Sequence, residues 1–158
     1  MASQMGLGNA FIKWIQLLLS HTKSRVVIDG TLSDAKEFFA GVRQGCPLAP
    51  FLYLLVAQAA LSLLKSKRIG IKMDDTFITA TQYADDLKIF LNTPQQVPLL
   101  LDTMTIFAQA TGQHLQPSKS QLMYIGTAPS DPLKVIHSIP VVDSVNSLGL
   151  TFHHHTCH

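Results

Sequence analysis

Cysteine and charge are both scarce in this sequence, and each scarcity excludes a class of protein. Only two cysteines, Cys46 and Cys157, occur among the 158 residues, which gives no disulfide framework and favours a reducing, intracellular compartment. Charged residues make up 14% of the chain and the formal net charge is +2. No global field therefore attracts nucleic acid, and any such binding would come from a local groove.

Long apolar runs and targeting signals are lacking as well. The longest apolar stretch, from Phe51 to Leu64, is shorter than the roughly 20 residues that a bilayer span needs, and Gln58 and Ser62 interrupt it. The first ten residues contain no basic segment of the kind that opens a secretory signal. We therefore expect a core helix over 51–64 and no association with a membrane.

Three segments have apolar residues at helical spacing and predict helices. The first covers residues 9–21, the second opens at Pro50 and runs to Lys65, and the third opens at Thr93-Pro94 and ends at Gly112. The positions expected to be buried in the first and third helices are Phe11, Trp14, Ile15, Leu18, Leu99, Met104, Phe107 and Ala108.

Short runs rich in β-branched and aromatic residues predict strands between these helices. Asp29-Gly30 is a hairpin turn signal between strands at 24–28 and 36–40, and further short strands are expected at 69–73, 121–125, 135–139 and 147–152. The order of elements indicates an α+β fold, with a mostly antiparallel sheet backed by helices.

Tyr83-Ala84-Asp85-Asp86 joins two of the predicted strands, at 76–82 and 87–91. The join is too short for anything but a tight turn, so both carboxylates are expected at or near the tip of a hairpin. Carboxylate oxygens suit Mg²⁺, and a pair of them could hold two metal ions for displacement at phosphorus. Asp also favours turns for its own backbone, as at Asp74-Asp75, so a plain structural turn is the alternative.

Residues 41–50, Gly-Val-Arg-Gln-Gly-Cys-Pro-Leu-Ala-Pro, form the second informative stretch. Two glycines and two prolines predict an irregular loop before the apolar helix. Such a loop can bring backbone N–H groups and the Arg43 and Gln44 side chains close to a substrate. The alternative is a connecting loop in which Arg43 forms a salt bridge.

Read together, these two stretches resemble the reverse transcriptase of non-LTR (LINE-type) retrotransposons. Residues 43–50 resemble its RQGCPLSP block, with Ala49 where Ser is usual, and residues 83–86 match its Y-x-D-D box. Residues 111–120 resemble its SGLxLNPxKS segment, with Gln116 replacing Asn, and Ser147-Leu148-Gly149 resembles its YLG strand, with Ser147 replacing Tyr. The resemblance extends to Phe152 and implies a partial palm domain over residues 1–152.

The resemblance implies an RNA-directed DNA polymerase that transfers nucleotides from dNTP to a DNA primer on an RNA template. In that family Asp85 and Asp86 would hold Mg²⁺ or Mn²⁺, and Tyr83 and Ala84 would lie near the primer end. The ions would activate the primer 3′-hydroxyl and neutralise the triphosphate.

Four more residues take roles from the same resemblance. Gln44 and Gly45 would line the nucleotide pocket and template path, and Arg43 would support the loop or contact phosphate. Lys119 would approach the leaving pyrophosphate as a proton donor or charge stabiliser. A packed or solvent-facing structural role is the alternative for Lys119, given the altered residue at Gln116.

One departure from the family pattern bears on activity. The family uses a third metal-binding Asp on a strand that precedes the RQG block, and neither Asp29 nor Asp34 matches it. The palm is therefore expected to be incomplete, without its first strand and without fingers, and a polypeptide of these residues alone is expected to be inactive. The alternatives are a catalytically dead retroelement relic, for which the three altered motif residues are mild signs of drift, and a nucleic-acid-binding module, against which the scattered Lys and Arg residues argue.

Residues 153–158, His-His-His-Thr-Cys-His, do not match the family pattern. Clustered His and Cys can bind Zn²⁺, but all these ligands lie in one short terminal segment. We expect a disordered tail instead.

Overall fold

A computed structural model describes residues 6–37, 41, 45–84, 86–126 and 129–154. The chain divides into two compact units, Met1–Leu55 and Val56–His158, which are described separately.

The first unit opens with helix α1, Asn9–Leu19, as the apolar spacing predicted. The prediction that its stripe faces a core is wrong, because none of its residues is buried. Trp14 is 62% exposed and Leu18 59% exposed, and Phe11 is exposed as well. The described residues of this unit supply no side chains that cover this face of the helix.

The expected hairpin follows α1, with Asp29 at its turn in the left-handed region at φ 48°. Strands β2 (Val27–Ile28) and β3 (Thr31–Leu32) pair across that turn, and β1 (Lys23–Ser24) pairs with β4 (Lys36–Glu37) beyond them. The chain therefore returns at Thr31, earlier than expected. The last three residues of the predicted return strand, 38–40, lie outside the described residues.

Helix α2, Ala49–Ser66, begins one residue before Pro50 and includes the apolar stretch. Ala60 and Leu64 are buried, which confirms a core role for its C-terminal half, whereas Phe51 and Leu54 are 65% and 62% exposed. The length of this helix and its mean hydropathy of 1.4 are sufficient for a helix that crosses a membrane. Core helices of soluble proteins meet the same criterion.

The second unit is built around one apolar cluster, which α2 and helix α3, Val97–Thr111, line together. A 3₁₀ turn, Pro94–Gln96, leads into α3, and Gly112 ends it in the left-handed conformation at φ 74°. Met104, Phe107 and Ala108 are buried as expected, but Leu99 is 41% exposed and the neighbouring Leu100 is buried instead. The buried members of the cluster are Ala60, Leu64, Ile69, Leu100, Met104 and Phe107.

The strands of the second unit form hairpins rather than the expected sheet. Strands β5 (Ile71–Met73) and β6 (Thr76–Ile78) pair, as do β7 (Ala80–Tyr83) and β8 (Asp86–Ile89), β9 (Val135–Ile136) and β10 (Ile139–Pro140), and β11 (Ser144–Ser147) and β12 (Leu150–His153). In the described part of both units, every ladder is two-stranded and antiparallel. The α+β composition and the antiparallel pairing are confirmed, but the expected sheet is divided into two-stranded ladders whose strands have only two to four residues.

Four single strands expected from the sequence are divided or missing. The run 76–82 breaks at Thr79, and the runs 135–139 and 147–152 each contain a turn at residues with positive φ, His137-Ser138 and Leu148-Gly149. Segment 121–125 forms only an isolated bridge, between Leu122 and Val141. These turns lack the Asn-Gly or Asp-Gly signal that marks a hairpin in a sequence.

Gly70→Ala is expected to lower the free energy of unfolding by about 3 kcal/mol, through overpacking and a disfavoured φ. A Cβ at Gly70 would lie 2.7 Å from the carbonyl oxygen of Ile78 and 2.7 Å from Cε1 of Phe77, at φ +154°. Gly112→Ala is the control, because its φ is also positive but no atom lies within 4 Å, so about 1 kcal/mol is expected there. Urea titration measures both, and equal losses would contradict the close packing at Gly70.

Candidate metal centre

The β7–β8 hairpin places Asp86 beside its tip, as the sequence predicted. Four residue pairs form the ladder, from Ala80 opposite Ile89 to Tyr83 opposite Asp86. Asp85 lies outside the described residues. Asp86 is the first residue of β8, and its side chain is 35% exposed. One of the two predicted carboxylates is therefore at the mouth of a short, well-paired hairpin, where solvent and solutes reach it.

The turn holds a backbone conformation that its residue type does not favour. Ala84 has φ 48°, and a non-glycine residue in this region costs about 1–2 kcal/mol. The Gln82 side chain spans the turn, since its Nε2 donates to the Ala84 carbonyl oxygen at 3.3 Å. Tyr83 is 68% exposed next to it. Strained turns of this kind persist where the surrounding ladder fixes them.

Two side chains that the sequence did not single out as partners contact the Asp86 carboxylate. The Ser147 hydroxyl donates to Oδ2 at 2.5 Å, and Lys88 Nζ lies 3.6 Å from the same oxygen. Lys88 Nζ also lies 5.7 Å from the centre of the Phe152 ring, a cation–π distance. The alternation of side chains along a strand could have indicated Lys88, because residues 86 and 88 share a face. Nothing local could have indicated Ser147, which is 61 residues away.

The structure describes two of the four remaining predicted site residues. Arg43 and Gln44 lie outside the described residues. Gly45 belongs to the first unit, in an exposed turn before α2, and no atom lies within 4 Å of where its Cβ would be. Lys119 ends an exposed 3₁₀ turn, Pro117–Lys119. The structure therefore brings together Tyr83, Ala84 and Asp86 on one hairpin.

The described residues contain no group of three or more His, Cys, Asp or Glu side chains that could bind a metal ion. In the terminal segment, His153 is the last residue of β12 and His154 Nδ1 lies 3.1 Å from the Tyr124 carbonyl oxygen, while 155–158 lie outside the described part. A mostly apolar cleft of about 720 Å³ lies elsewhere in the second unit, beside Leu91, Val97 and Tyr124. None of the predicted site residues lines it.

Comparison with known proteins identifies the family. The family model described as reverse transcriptase (RNA-dependent DNA polymerase) matches residues 3–152. A Pol polyprotein of the type-2 retrotransposable element R2DM of Drosophila melanogaster is 29% identical over 133 residues, 84% of this chain and 12% of that protein. The transposon TX1 149 kDa protein of Xenopus laevis is 27% identical, over 78% of this chain and 10% of its own length. A Pol polyprotein of the type-1 element R2 of Popillia japonica is 24% identical, over 93% of this chain and 26% of its own length.

The chain thus spans only about a tenth to a quarter of the relatives it matches. The family model covers nearly all of this chain, and the matched residues include both residues 43–50 and the hairpin that presents Asp86. This chain therefore belongs to the reverse transcriptase family, and its relatives come from retrotransposable elements of the non-LTR (LINE) type, as its motifs predicted.

Proposed function

We propose that this chain is the metal-binding part of an RNA-directed DNA polymerase, which joins dNTPs to a primer 3′-hydroxyl on an RNA template. One observation supports this above the others. The β7–β8 hairpin places Asp86 at the first residue of its return strand, and the hairpin lies within the residues that match the reverse transcriptase family.

The donor set fits a magnesium or manganese ion. The Asp86 carboxylate supplies hard oxygen ligands at a partly exposed position, and such sites take one or two carboxylates with water and phosphate oxygens completing the shell. Asp85, next in sequence, would supply the second carboxylate. When bound, the divalent ions would lower the pKa of the primer 3′-hydroxyl and neutralise the charge of the triphosphate.

Further residues of the chain would bind and orient the substrates. Tyr83 and Ala84 would lie against the primer end, which agrees with the exposure of Tyr83. Gly45 would let a substrate approach the backbone, since the space at its Cα is open. Arg43 and Gln44 would contact phosphate and the nucleotide, and Lys119 would stabilise or protonate the leaving pyrophosphate.

A polypeptide of these 158 residues alone is expected to show no dNTP incorporation above background. Two carboxylates without the third Asp of the family supply less ligand charge to fix a pair of divalent ions. Primer extension on an RNA template in Mg²⁺ measures this. Its positive control is the same sequence inserted in place of the matching segment of an active reverse transcriptase of this family, which is expected to extend the primer.

The two assays test separate claims: the inactivity of the isolated polypeptide and the proposed polymerase reaction. Incorporation by the 158 residues alone, lost in Asp85→Ala, would contradict the inactivity and support the proposed reaction. An inactive insertion chimera that folds and still binds the primer-template would contradict the proposed reaction itself.

A further inference from the structure

We infer that Ser147 is a positioning residue for the Asp86 carboxylate, and that it holds one carboxylate oxygen so that the other remains free for a divalent cation. This inference rests on the proposed function, because it concerns the same metal-binding side chain. Among the described residues, Ser147 and Lys88 contact the Asp86 carboxylate, and each contacts Oδ2. No hydrogen bond to Oδ1 is found within the part of the chain that the structure describes.

The Ser147 hydroxyl is well placed to fix the carboxylate. Ser147 is only 7% exposed, and a buried hydroxyl needs a hydrogen-bond partner. Its hydroxyl donates to Oδ2 of Asp86, and hydrogen bonds to charged acceptors are stronger than those between neutral groups. A partly buried hydrogen bond of this kind restricts the rotamers of Asp86 more than a fully exposed contact would.

The hairpin that contains Ser147 is anchored at a second point. Ser147 is the last residue of β11, and β12 pairs with it along four residues. From β12, Phe152 lies against Lys88 at 5.7 Å, and Lys88 lies two residues beyond Asp86 on β8. The β11–β12 hairpin therefore contacts β8 at both Asp86 and Lys88, which fixes the position of the Ser147 hydroxyl.

Ser147 and Lys88 should affect cation binding in opposite directions. Groups that orient a metal ligand change metal affinity by about 10–100-fold when they are removed. The Lys88 ammonium, in contrast, is a cation 3.6 Å from Oδ2 of the same carboxylate, and it repels a second cation that approaches the free oxygen. Loss of the Ser147 hydroxyl is expected to weaken cation binding, and loss of the Lys88 charge to strengthen it.

Mn²⁺ binding to the 158-residue chain tests the inference without any need for polymerase activity. The paramagnetic resonance signal of free Mn²⁺ gives the dissociation constant, and circular dichroism checks that each variant is folded. Ser147→Ala is expected to raise the dissociation constant about tenfold or more. Ser147→Thr keeps the hydroxyl and should bind close to wild type, whereas Ser147→Val, which has the shape of Thr, should bind as weakly as the Ala variant.

Three further variants complete the test. Lys88→Met is expected to lower the dissociation constant. Thr151→Ala is the matched control, because it removes a hydroxyl from the same hairpin that donates to Asn146 Oδ1 at 2.6 Å, and it should change nothing. Asp86→Asn removes the carboxylate, so the Mn²⁺ binding that is lost in this variant is the binding at the proposed centre. If Ser147→Ala does not fold, the Thr and Val pair gives the same comparison.

The outcomes separate this inference from the proposed function. Equal affinities for the Thr and Val variants, with wild type binding Mn²⁺ and Asp86→Asn not binding it, would overturn the role of Ser147 and leave the metal centre intact. If wild type and Asp86→Asn bind Mn²⁺ equally, or neither binds it, both the metal centre and the role of Ser147 are overturned.

Discussion

Asp86→Asn is expected to lower dNTP incorporation about 1,000-fold when the chain is assayed in the insertion chimera. The amide keeps the size of the side chain and removes the negative charge. Metal ions contribute several kcal/mol of charge stabilisation in the transition state, and each 1.36 kcal/mol corresponds to a factor of ten in rate. Primer extension under single-turnover conditions on an RNA template measures the loss.

Asp75→Asn is the matched control for this prediction. Asp75 lies in the turn of the β5–β6 hairpin, is exposed, and follows another Asp in the sequence as Asp86 does. Asp75 lies outside the Y-x-D-D box, so dNTP incorporation by the Asp75→Asn variant is expected to stay near wild type. A similar loss at both positions would mean that the turns need an acidic residue for folding, and a small loss at Asp86 would contradict its role as a metal ligand.

The parts of the site that could be predicted from the sequence are those fixed by local chemistry. The β7–β8 hairpin follows from two strand-forming runs joined by a link too short for anything but a turn. Helix α3 follows from its apolar spacing and from Gly112 at its end, and Pro94 begins the 3₁₀ turn that leads into it. In both cases the residues that decide the structure lie within about 20 positions of each other.

The parts that could not be predicted depend on distant contacts or on the lack of them. The hydrogen bond between Ser147 and Asp86 joins residues 61 positions apart, and no periodicity in the sequence specifies it. The apolar stripe of α1 predicts a helix but not what covers it, so the exposure of Trp14 and Leu18 could not be anticipated. Leu99 and Leu100 are adjacent, and the exact rotation of α3 decides which of them is buried.

Ser147 also shows why a departure from a family motif needs structural context. As a sequence feature, Ser147 in place of Tyr was a mild sign of drift. In the fold, the small side chain is buried and its hydroxyl reaches the carboxylate of Asp86. A departure can therefore introduce a contact of its own, and the Thr and Val variants at position 147 measure what this contact contributes.

Leu64→Ala is expected to lower the free energy of unfolding of the second unit by about 2–5 kcal/mol, the range for a leucine truncated in a well-packed core. Leu64 is fully buried, and it packs in one cluster with Ile69, Leu100 and Phe107. Domains are typically stable by only about 5–15 kcal/mol, so this single change removes a large fraction of the total. Urea titration followed by circular dichroism measures the loss.

Leu54→Ala on the same helix gives the comparison that makes this result informative. Both substitutions remove the same atoms from α2 and change helix propensity equally, but Leu54 is 62% exposed. Its loss is expected to stay within about 0.5 kcal/mol, as for surface positions in general. Only burial distinguishes the two leucines, so equal losses would contradict the core assigned to the second unit. They would also contradict the packing of Leu87 and Ile89 against that core, which supports the β7–β8 hairpin and Asp86.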